Sequence, residues 1–115
     1  MRVAIVGSRE FTDFERLELE ILKRISVEKI EKVISGGAKG ADTLASQFAG
    51  KHKIPLLEFK PDWAKYGKGA GLMRNTQIIE NADIVFAFPT ATSKGTRDSI
   101  RKAKEKGKIV KVIEV

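Results

Sequence analysis

The chain is poor in the side chains that carry covalent or metal chemistry. It has no cysteine and one histidine, His52, in 115 residues. Without thiols there is no disulfide framework and no thiolate nucleophile. One imidazole argues against a zinc cluster. No G-x-S-x-G segment is present, and His52 falls at the expected end of a helix, so a Ser-His-Asp triad is not indicated. No apolar run approaches the ~20 residues of a membrane span. Residues 1–6 are too short for the apolar region of a signal peptide and run straight into Gly7. The expectation is a cytoplasmic protein with no membrane partner and no metal. Repeats, linkers and low-complexity segments are missing too, which leaves residues 1–115 as one domain.

What is present is a globular composition with a basic excess. Hydrophobic residues make up 42% and charged residues 32%, and the net charge is +7. Such an excess suits phosphates or nucleic acid, and it equally suits a solvated lysine-rich surface.

The patterning alternates short apolar runs with helical periods. Residues 2–6 form a continuous apolar run, as in a strand covered on both faces. Thr12 to Glu15 reads T-x-x-E, a capping box, so a helix is expected from about Asp13. Phe14, Leu17, Ile21, Leu22 and Ile25 then share one face. Strand two is expected over 32–35, a helix over 41–51 and strand three over 54–59. Residues 61–71 read as irregular. A helix is expected over 72–80, a strand over 83–88, a polar turn over 90–95, a basic helix over 96–106 and a last strand over 109–115. This alternation predicts an α/β fold, a three-layer, Rossmann-like, doubly wound parallel sheet of about five strands in the order 3-2-1-4-5. Ligands of such sheets bind outside the carboxyl ends of the strands where the order reverses. That places the loop after strand one, the loop after strand four and the neighbouring loop after strand two on one rim.

Those loops carry the candidate site residues. Gly36, Gly37, Ala38, Lys39, Gly40 and Asp42 form a glycine loop between a strand and a helix. Glycines permit close approach, and the helix behind them offers free N–H groups, which together favour an anion seat over a plain tight turn. Asp42 in the first helical turn reads either as a stabiliser of the helix start or as a ribose ligand. Gly7, Ser8 and Arg9 supply backbone, hydroxyl and guanidinium, with an Arg9 pair to Glu10 or Glu15 as the plain alternative. Gly95 and Thr96 repeat the anion-seat logic at the basic helix, where Ser93 or Thr96 could also act as an ordinary cap. Arg74 and Asn75, with Lys68 nearby, could reach phosphate and sugar or simply be solvated. Asp62 and Trp63 stand on the irregular stretch: Trp63 could stack on a base or plug the core edge, and Asp62 could cap a short turn. The glycine loop is not G-x-x-x-x-G-K-[ST], and a strict G-x-G-x-x-G is missing, so neither a P-loop NTPase nor ordinary NAD binding is indicated.

Val6-Gly7-Ser8-Arg9, Ile34 through Asp42, Pro61-Asp62-Trp63, Gly69 through Asn75 and Lys94-Gly95-Thr96 together resemble the SLOG superfamily, and within it the small single-domain proteins related to the YspA and YpsA groups. The resemblance covers nearly the whole chain and implies a pocket for a nucleotide or nucleotide-derived ligand, held as a sensor or binding module. Two branches share pieces. The DNA-processing protein A family has a similar glycine segment and Arg-Asn pair, which implies single-stranded DNA binding and homodimers. The lonely-guy phosphoribohydrolases, which cleave the N-glycosidic bond of nucleoside monophosphates, carry P-G-G-x-G-T-x-x-E. Here Pro89 to Ser99 lacks the glycine pair and has Ser99 at the glutamate position. Asp98, one residue off, and Asp42 are the carboxylates available for that chemistry. A bound nucleotide is the one cofactor this resemblance suggests.

Overall fold

The computed structural model describes residues 1–115. Five parallel strands form one sheet: β1 (Arg2–Gly7), β2 (Lys32–Ser35), β3 (Leu56–Glu58), β4 (Ile84–Phe88) and β5 (Ile109–Val112). Their order is β3-β2-β1-β4-β5, as the alternation predicted. Helices α1 (Phe14–Leu22) and α2 (Ala41–Lys51) precede the four-residue turn of helix α3 (Trp63–Tyr66), then α4 (Ala70–Glu80) and α5 (Lys94–Glu105). No helix is long and apolar enough to cross a membrane.

The sheet separates two cores because successive strand residues point to opposite faces. Val3 and Ile5 of β1 join Leu17 and Ile21 of α1 and Phe48 of α2 on one face. Ala4 and Val6 join Ile78 and Ile79 of α4 and Ile100 and Ala103 of α5 on the other. Continuous apolar strands are what a sheet covered on both sides requires. The expected inward residues of α2, Ala41, Leu44, Ala45, Phe48 and Ala49, are all buried. Phe11 stacks on Phe88 at 5.0 Å and seals the carboxyl end of the first core.

The differences from expectation lie at element ends. Asp13, not Thr12, caps α1, its carboxylate accepting from the Arg16 amide at 3.1 Å. The capping box is therefore replaced by a one-residue shift with the same physics: a short acceptor reaching the third amide on. Helix α4 begins two residues early, and part of the irregular stretch is helical turn. Strand β5 ends at Val112, yet Ile113 and Val115 still donate to Ala87 and Pro89 at 2.8 and 3.0 Å, so the pairing runs on past the regular strand. At β3 the flanking Pro55 carbonyl and Phe59 amide likewise bond β2 at 2.9 Å.

Candidate functional site

The strand order reverses between β1 and β4, and two clefts open there at the carboxyl rim. The first, about 360 Å³, lies between the β1 loop, the start of α4 and the turn leading into α5. The second, about 630 Å³, lies between the glycine loop, residues 60–63 and the start of α4. Arg9, Ala38, Arg74, Asn75 and Gly95 line both, so the two clefts share one wall.

The glycine loop is held by its own chain. The Ala38 amide donates to the Asp42 carboxylate at 3.0 Å, the Gly36 amide faces the same carboxylate, and the Gly37 amide donates to the Ser35 hydroxyl at 3.3 Å. The Ala41 amide, first in α2, donates to the Ser8 carbonyl at 3.1 Å. Gly40 has φ +73°, and a Cβ there would run into the Ser8 carbonyl and the Arg9 backbone. The loop after strand two is thus clamped to the loop after strand one. Burial pushes the Asp42 carboxyl above its ordinary value, against the loop amides and Arg74, which favour its charged form.

The start of α5 opens on the first cleft. Ser93 stands at the cap position, but its hydroxyl turns back to the Thr90 amide and hydroxyl at 2.9 and 2.8 Å. The amides of Gly95 and Thr96 have no acceptor in the chain. The Thr96 hydroxyl also lacks a partner, although the residue is 7% exposed and lines the first cleft. Unpaired amides and the helix dipole make this end electropositive. The Ser8 hydroxyl, accepting from the Glu10 amide at 3.1 Å, keeps its proton for a further acceptor.

Two guanidiniums face the shared wall. Arg74 donates to the Gly36 carbonyl at 3.0 Å and to the Asn75 side-chain oxygen at 3.1 Å. A Cβ at Gly36 would lie 2.5 Å from the Arg74 Nη1, so a side chain there would displace the guanidinium from its present seat. Burial lowers the Arg74 pKa, Asp42 raises it and Arg9 lowers it further. Arg9 makes no ion pair; the expected alternative, a bond to Glu10 or Glu15, is not formed. Asn75 is buried and donates to the Gly95 carbonyl and to Asp98, both at 3.3 Å, tying α4 to α5.

The structure brings Gly7, Ser8, Arg9, Gly36, Gly37, Ala38, Asp42, Arg74, Asn75, Gly95, Thr96 and Trp63 to the two clefts. Lys39 and Gly40 line neither. Trp63 is 60% exposed on the rim, so it does not plug the core. Asp62 caps α3, accepting from the Lys65 amide at 3.1 Å, and stands outside both clefts. Asp98 is turned to Arg101 and Lys102, each at 2.9 Å, and is also outside both. Burial pushes its carboxyl up, but the bonds from Lys102, Asn75 and Arg101 outweigh this and hold it below the usual range. Sequence reasoning missed Glu10, Thr92 and Lys94 in the first cleft and Lys60 and Leu72 in the second. The placement of Thr92 and Lys94 in the loop at the reversal was the available signal.

The family model described as YAcAr, the YspA, cpYpsA-related SLOG family, matches residues 1–66. The chain belongs to this SLOG family. Gene 61 protein of Mycobacterium phage D29 is 39% identical over 82 residues, 65% of this chain and 65% of that protein. Among solved structures, this SLOG chain is similar to DNA processing protein A from Helicobacter pylori, described for its single-stranded DNA binding mode (TM-score 0.74, 22% identity, 97% of this chain and 64% of that one). It is also similar to DNA processing protein A from Streptococcus pneumoniae (TM-score 0.77, 20% identity, 96% and 49%). At that identity the likeness is one of fold, and the SLOG chain spans less than two thirds of each of these three proteins.

Proposed function

We propose that this chain binds a phosphorylated nucleotide or nucleotide-derived ligand across the double cleft, as a sensor or binding module. The observation that carries the reading is the open start of α5: two unpaired amides and an unpartnered Thr96 hydroxyl facing the first cleft from an otherwise buried residue, next to Arg9 and Arg74, at the switch point of the sheet. The phosphate sits there, with the glycine loop as the scaffold that aims Arg74. Trp63 and Leu72 offer the second cleft an apolar edge for a base. Calorimetry with nucleoside mono- and diphosphates tests this. Thr96→Ala and Arg74→Ala are each expected to weaken binding about tenfold or more, since hydrogen bonds to charged groups are worth ~1.5–3 kcal/mol. Unchanged affinity in both variants rejects the placement.

A second reading, single-stranded nucleic acid, is favoured by one observation: the open groove carries the unpaired cations Arg9, Lys60, Lys68 and Lys94 beside an exposed Trp63. Its fold relatives add that the H. pylori protein binds single-stranded DNA. Strand binding would weaken steeply with salt, with a slope of about −0.7 per phosphate contact. Absence of binding to a short oligonucleotide at low salt removes this reading. The N-glycosidic hydrolase reading has the least support, because Asp98 is held by cations outside the clefts and Asp42 by the loop amides. The implied homodimer belongs to the same proposal and is read by sedimentation at two concentrations.

A further inference from the structure

Beyond the phosphate seat the first cleft has a lobe with no aromatic lining; of the two carboxylates on this cleft, Asp42 is held by the glycine loop and Glu10 is not. Glu10 lines this lobe together with Ser8, Thr90, Thr92, Ser93 and Lys94. Its backbone is fixed by the Ser8 hydroxyl at 3.1 Å, and its side chain makes no ion pair even though Arg9 is its neighbour in sequence. An unpaired carboxylate beside an anion seat repels a second, bare phosphate and accepts hydrogen bonds from hydroxyls. The second cleft is the one with an aromatic side chain, Trp63, beside Pro61 and Leu72. The two lobes meet at Arg9, Arg74 and Gly95, where the phosphate is placed.

We propose that the ligand is a nucleoside diphosphate whose far phosphate is esterified to a hydroxylated group, and that Glu10 selects it by accepting from that group's hydroxyls. The inference rests on the phosphate-binding reading above. The base lies in the second cleft, the diphosphate at the shared wall and the hydroxylated arm in the polar lobe. A bare diphosphate brings a dianionic end against Glu10, whereas an ester brings one charge fewer and hydroxyl donors. Glu10 is exposed and packs in neither core, so its replacement leaves the fold intact.

The test is calorimetry with AMP, ADP, ADP-glucose and UDP-glucose on the wild-type chain and on Glu10→Gln. In the wild type at least one nucleotide sugar is expected to bind ten times or more tighter than ADP. In Glu10→Gln the ADP affinity is expected to rise several-fold and the sugar preference to shrink to within about threefold. If AMP and ADP bind but neither sugar binds tighter than ADP, or if Glu10→Gln changes neither affinity, this inference is overturned and the phosphate seat stands. If none of the four binds, both fall.

Discussion

Gly40 joins two loops by lacking a side chain. Its positive φ and the nearness of the Ser8 carbonyl leave no room for a Cβ, and the neighbouring Ala41 amide uses that same carbonyl. Gly40→Ala is expected to destabilise the fold by about 2 kcal/mol or more, read from equilibrium denaturation. It should also loosen the β1 loop that carries Arg9. At this scale the sequence was partly legible. Three glycines before a helix marked a place of close approach, and the chain's own Ser8 carbonyl, Arg74 guanidinium and Asp42 carboxylate make it. A carboxylate in the first turn of a helix looks the same in sequence whether it greets a ligand or folds back over the loop. Glu10 was passed over for a related reason. It read as a partner for Arg9, and only the structure shows the two side chains unpaired.

The helices differ in what lies over their first turns. In each, the leading amide is spent, Ala41 on the Ser8 carbonyl and Lys94 on the Thr92 carbonyl, and the next two have no acceptor; at α2 the Asp42 carboxylate folds back over the loop, while at α5 Gly95 and Thr96 line the first cleft. Both starts carry a glycine, Gly40 just before α2 and Gly95 in the first turn of α5, so composition could not rank them. The fold-back of the Asp42 carboxylate at one and the cleft beside Gly95 and Thr96 at the other tell them apart. Helices α4 and α5 are joined at Asn75 and Asp98, and this junction carries a pH dependence. The folded Asp98 carboxyl lies below its ordinary 3.8, so its contribution is complete above that value and disappears as the pH falls through the lowered one. Asp98→Asn is expected to cost about 1–2 kcal/mol at neutral pH, the range between an exposed ion pair and a charged hydrogen bond. Its urea midpoint should converge with that of the wild type in acid; a difference independent of pH would contradict this account.

At the scale of the whole molecule, the sheet insulates one core from the other. Ile21 of α1 and Ile79 of α4 are fully buried on opposite faces. Ile21→Val and Ile79→Val are each expected to cost about 1 kcal/mol. The double variant should match the sum of the singles to within about 0.5 kcal/mol, because the sites share no partner. Charge is distributed just as unevenly. Many flank cations are paired, as in Arg2–Asp83, Lys51–Glu18 and Arg97–Glu114, while Arg9, Lys60, Lys68 and Lys94 at the rim are not. The amino-acid sequence alone determined the element types, their alternation and hence the strand order, because burial periodicity is a local property and right-handed crossovers leave few topologies. It also marked the rim, since the chain must turn where strands end. Only the tertiary structure decided which amides at that rim are already satisfied and which remain open, because a hydrogen-bond partner contributed by a distant loop leaves no trace in local sequence.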